Sequence, residues 1–154
     1  MTMCDMCEKG EDEFMLDLMA TIEKCGHAII YVGAGEGREQ NFSYTVGLTA
    51  DERFGYEIMQ SGLSPHQSHH LLNDLPIAIT NRGIKPMDGL IIEGIISGGY
   101  NVKLREITDK ALLGVAKRLY GDYPKAWQVM WPDRGNRFPD EAGYDPEDCL
   151  QEIL

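Results

Sequence analysis

The sequence predicts a single α+β domain, an antiparallel or mixed sheet of about four to six strands with helices mainly on one face. Three observations carry that expectation. Some segments place apolar residues at helical spacing, while others alternate apolar and polar residues. The two kinds are ordered α-β-β-β-α-β-α-β. The length of 154 residues fits one domain, and such a chain buries roughly two thirds of its unfolded surface without a disulfide staple. No repeat, low-complexity tract or long linker divides it.

Met15, Leu18, Met19, Ile22 and Cys25 share one helical face, and Gly26 ends that helix. Ala28 to Val32 is a β-branched and aromatic run. Beyond a glycine-rich turn, Phe42, Tyr44, Val46 and Leu48 alternate with Ser43, Thr45, Gly47 and Thr49, so the two runs predict a hairpin. Tyr56 to Gln60 reads as a third strand. Ser64-Pro65-His66-Gln67 is a helix start: Ser64 caps, Pro65 suits the first helical position, and Gln67 completes a capping box. Pro76 should kink or break this helix, unless a second short turn continues to Arg82 and Gly83. Residues 84–99 are apolar but interrupted by glycines, a loop or irregular strand. Val102 to Ile107 reads as a strand. Thr108 is expected to cap a helix carrying Leu112, Val115, Ala116 and Leu119, closed by Gly121. Trp127, Val129 and Trp131 alternate as a last strand, and loop follows Pro132.

The net charge is −11, and it lies in the two ends. Residues 1–24 hold seven acids and two lysines, residues 139–154 six acids and no base, and the middle has twelve of each. Residues 1–12 and 140–154 are expected to be loose acidic ends. This balance argues against a nucleic-acid binder, whose phosphate contacts need a basic surface. It suits solubility, or a protein partner of basic character. No apolar run approaches the roughly 20 residues of a membrane-spanning helix, and the polar first residues do not resemble a secretory signal. With no secretion signal the four cysteines are expected to be reduced, so the expected location is cytoplasmic.

Several residues could carry chemistry. Cys4 and Cys7 have the spacing of half a zinc site, although no second such pair completes it. His66 and His70 lie four apart on one helix and could chelate one metal, while His69 points elsewhere. Trp131, Asp133, Arg134 and Arg137 sit in a loop at a strand end. There the guanidiniums could receive a carboxylate or phosphate, or pair with Asp133 or Asp140 to fix the turn. Tyr44 and Thr45 fit a pocket wall or a tightly packed strand. Gly33-Ala34-Gly35-Glu36-Gly37 lacks the Lys-Ser/Thr of a phosphate loop and leads into a strand, so it reads as a hairpin loop. No serine lies in a nucleophile-elbow sequence, and no catalytic set is visible.

Tyr44-Thr45-Val46-Gly47-Leu48, His70-Leu71-Leu72-Asn73, the segment from Leu113 to Gly121, and Trp131-Pro132-Asp133-Arg134-Gly135-Asn136-Arg137-Phe138-Pro139 occur in this order. Together they resemble the domain-of-unknown-function 4262 family over about Cys4 to Pro146. The resemblance implies an actinobacterial or bacteriophage setting, and it brings no activity with it. Family members often begin with a Cys-x-x-Cys pair, matched by Cys4 and Cys7. In the final loop they often carry an aromatic residue after the proline, where this chain has Asp140 after Pro139.

The leading functional expectation is a non-catalytic accessory or host-interaction protein that binds a macromolecular partner. The first alternative is an enzyme or small-molecule binder whose pocket draws on Tyr44, His66, His70, Asp133 and Arg134. The second is a zinc-binding protein that uses Cys4 and Cys7.

Overall fold

The computed structural model describes residues 10–35, 39–147 and 150–154. In chain order these form α1 (Glu11–Cys25), β1 (Ala28–Val32), β2 (Phe42–Val46), β3 (Glu57–Ser61), α2 (Pro65–Arg82), β4 (Ile91–Ile96), β5 (Tyr100–Glu106), α3 (Gly114–Tyr120) and β6 (Ala126–Met130). The strands make one six-stranded mixed sheet in the order β1-β2-β3-β6-β5-β4. Its halves are antiparallel: Ile30 faces Tyr44 and Tyr44 faces Met59 on one side, while Val129 faces Leu104 on the other. The seam between them is parallel, with Ile58 beside Trp127.

Strand neighbours point to opposite faces, and the core follows that alternation. Ile30, Tyr44, Met59 and Ala126 pack with Phe14 and Leu18 of α1 and Val115 and Ala116 of α3. Ile58, Trp127, Val129 and Leu104 pack with Leu71, Leu72, Leu75 and Ile79 of α2. Two of the three helices thus share one face, and the longest covers the other.

Local sequence explains α2 well. Ser64 Oγ accepts the Gln67 amide and Gln67 Oε1 accepts the Ser64 amide, each at 3.2 Å. The helix continues through Pro76 to Arg82 and closes at Gly83 in the left-handed region. Pro76 costs one intrahelical hydrogen bond. Leu72, Leu75 and Ile79, buried on either side of it, hold the helix to the sheet.

Three expectations need correction. Thr108 does not cap α3 through its side chain; its carbonyl accepts the Lys110 amide. A 3-10 turn at Lys110–Leu113 draws Leu113 into the core, and α3 starts only at Gly114. Residues 84–99 hold the irregular strand of the two readings, β4, whose pairing with β5 shifts register between Ile92 and Ile96 around Gly94 at φ 75°, and the predicted order omits it. The order therefore gains a strand. Finally, residues 150–154 are not loose. Leu154 is buried in the core, its amide donates to Gln128 Oε1 at 2.8 Å, and the Glu152 amide donates to Ser61 Oγ at 3.0 Å. Gly62 makes room for this strap: at φ 90°, a Cβ there would lie 1.7 Å from the Leu150 carbonyl oxygen. At the other end Glu11 to Glu13 form the first turn of α1, and Glu11 pairs with Arg118 at 2.6 Å.

Candidate functional site

The loops that leave the two parallel strands, 62–64 after β3 and 131–134 after β6, open on the same end of the sheet. Crevices beyond the carboxyl ends of parallel strands are common ligand sites. Here a cleft of about 630 Å³ lies between the first turns of α2, the β4–β5 hairpin and the loop after β6. His66, His70, Trp131, Asp133 and Arg134, all expected as site residues, line it. Asp74, Ser97 and Tyr100 line it as well and were not anticipated. Asp74 was legible in principle, because it stands one helical step beyond His70. Tyr100 and Ser97 flank Gly98 and Gly99 in a hairpin turn that periodicity does not reveal.

Each wall is fixed differently. The Trp131 indole N–H donates to the Ser61 carbonyl at 2.9 Å, and its backbone amide donates to Gln151 Oε1 at 3.2 Å. The ring is thus tied to β3 and to the C-terminal strap at once. His66 and His70 sit edge to face, with ring centroids 4.5 Å apart and planes at 83°. Pro65 has no N–H, and the Gln67 amide is taken by Ser64. These caps leave the His66 amide as the only donor of the first turn they do not account for, so recognition here falls to side chains.

Asp133 shapes the cleft and is itself occupied. Its carboxylate accepts the amides of Arg137 and Asp145, each at 2.9 Å, and its Oδ2 lies 3.3 Å from Arg137 Nε. Burial alone would raise its pKa, but those amides and the Arg137 charge outweigh it and hold the carboxyl below its ordinary value. Asn136, at φ 59°, completes the turn and accepts the Asn101 amide on its side chain. Arg137 makes the pairing of the turn-fixing reading. It pairs with Asp133, and its guanidinium lies against Gly135 and Gly143, so it is not part of the cleft wall.

Tyr44 and Thr45, also candidates for ligand contact, do not line this cleft. Tyr44 is buried beside Phe42, and its hydroxyl accepts the Val115 amide at 3.2 Å. Burial pushes its pKa up to about 12. Thr45 donates to Glu57, a residue that sequence reasoning passed over as an ordinary strand position. Glu57 is fully buried and accepts five hydrogen bonds: from the hydroxyls of Thr45, Thr49 and Tyr120 and from the amides of Leu48 and Thr49. Tyr120 in turn accepts the Gly47 amide at 2.6 Å. The Tyr-Thr-Val-Gly-Leu segment is thus a clamp around a buried carboxylate. A carboxylate at the head of a strand that continues Ile58-Met59 was the available signal.

A smaller cavity of about 320 Å³ opens between α1 and α2, where His27 Nε2 lies 2.8 Å from Asn73 Oδ1. Cys4 and Cys7 lie outside the described residues. Among the described residues no group of three or more His, Cys, Asp or Glu could hold a metal ion, and no helix is long and apolar enough to cross a membrane.

The fold and cleft define an α+β protein with an open site beyond a central parallel strand pair. The family model for the domain of unknown function DUF4262 matches residues 21–145, and the chain belongs to that family. Every cleft residue falls within the match. Neither a curated protein nor a solved structure matches the chain.

Proposed function

We propose that the protein binds a small organic molecule in the cleft beyond β3 and β6. The observation that carries this reading is convergence: α2, the β4–β5 hairpin and the loop after β6 bring two imidazoles, two aromatic side chains, two carboxylates and a guanidinium to one concavity. Its size is within the range of small-molecule sites. Trp131 and Tyr100 suit a flat apolar body, Arg134 suits an acidic substituent, and Asp74 suits a donor group on the ligand.

The reading as an accessory protein rests on the small size, the acidic ends, the lack of a visible catalytic set and the setting that the family resemblance implies; a basic partner is suggested by the charge. Part of that charge serves folding: Glu11 pairs with Arg118, and Glu152 Oε1 accepts the Gln40 amide at 2.9 Å. The cleft is therefore the firmer basis.

A fragment screen of planar carboxylic acids, read by amide NMR shifts, tests the proposal. Saturable shifts should concentrate in residues 63–74, 95–100 and 131–134. Trp131→Ala should weaken the best hit at least about tenfold, or roughly 1.4 kcal/mol. Shifts confined to the cavity beside His27, or an unchanged affinity in Trp131→Ala, would overturn it.

A further inference from the structure

We propose that His66 and His70 form a two-point chelate for a divalent transition-metal ion, of the zinc or copper class, at the edge of the cleft. The capping box and Pro65 fix the first turn of α2, so the two side chains rise from one face in register. Their ring centroids are 4.5 Å apart. Two imidazoles at about 2.0–2.1 Å from a shared ion place their ring centres about 5 Å apart, so a small side-chain rotation brings both nitrogens onto one ion. Among the described residues neither imidazole has a hydrogen-bond partner, so the ring nitrogens remain available. Both rings line a concave site rather than a flat helix surface.

The surroundings determine which ion fits. The donors are imidazoles without thiolate or clustered carboxylates, a set that suits zinc, copper or nickel over magnesium or calcium. Asp74 stands eight residues beyond His66, about 12 Å along the helix axis, too far to join both histidines on one ion. The Asp133 carboxylate is held by Arg137 and Asp145. The remaining coordination positions therefore fall to water or to an oxygen of an incoming molecule. Such a site exchanges its ion and keeps an open face toward the cleft.

The inference shares the cleft with the proposed function but does not require an organic ligand. Zinc chloride or copper sulfate is titrated calorimetrically into the full chain carrying Cys4→Ser and Cys7→Ser, which removes the thiol pair as a competitor. One equivalent should bind. His66→Ala or His70→Ala should each lower the affinity at least tenfold, and His69→Ala should leave it unchanged. Both target residues are exposed, so melting without metal should not move in any of these variants. At pH 5 binding should fall, because protons compete with the ion for the imidazole nitrogens. Absence of binding, or an equal loss in His69→Ala, overturns the chelate. Fragment titrations repeated in EDTA report on the organic site separately.

Discussion

Glu57 shows how much a single side chain can organise. Burying a carboxylate is costly unless donors surround it, and five do. Burial still dominates: it raises the Glu57 pKa, and the hydrogen bonds from Thr49, Tyr120 and Thr45 offset only part of the rise. A raised carboxyl pKa means the native state holds its proton more tightly than the unfolded chain. Its contribution to stability is fully present below the ordinary carboxyl range and is lost as pH rises through the raised value. Carbon-detected NMR should find Glu57 titrating above the ordinary glutamate range, and wild type should lose stability relative to Glu57→Gln as pH rises through that titration. Tyr120→Phe removes a donor to Glu57 and the acceptor of the Gly47 amide. It should cost about 1–3 kcal/mol in urea unfolding. None of this was readable from periodicity, because the partners of Glu57 come from β2, the turn after it and α3.

Elements with a complete local signal were legible, and those defined by distant partners were not. The hairpin of β1 and β2 follows from the alternation at Phe42, Tyr44 and Val46. The start of α2 follows from Ser64, Pro65 and Gln67. By contrast, β4 carries glycine at position 94 and gains its identity only by pairing with β5. The C-terminal strap carries acids that read as solvent-facing, yet it is held by Gln128, Ser61 and Trp131 from across the fold. The cleft divides in the same way. His66 and His70 were visible as a helical pair, whereas Asp133 and Arg137 needed the loop geometry to show that they bind each other. The strap yields a prediction at this scale. Gly62→Ala introduces a Cβ where the Leu150 carbonyl passes, at a positive φ that already disfavours a side chain. It should release residues 150–154, seen as faster amide exchange there, and lower stability by at least about 1 kcal/mol.

For the whole molecule, a net charge of −11 on 154 residues implies self-repulsion in the compact state. The Debye length falls from about 30 Å at 0.01 M to about 8 Å at 0.15 M salt. The melting temperature should therefore rise by a few degrees over that range, as read by differential scanning fluorimetry. An unchanged or falling value would mean that ion pairs such as Arg118–Glu11 outweigh the repulsion. The parallel seam of the sheet also sets the timing of assembly. β3 closes against β6, and all of α2, β4, β5 and α3 lies between them in the chain. During synthesis, at about 5–20 residues per second, the first three strands can pair long before their neighbour has been made. For several seconds the growing chain carries β3 as an open edge, the kind of surface that recruits strands from other molecules. Chaperone protection of nascent chains that end between residues 62 and 125 should therefore raise this protein's yield.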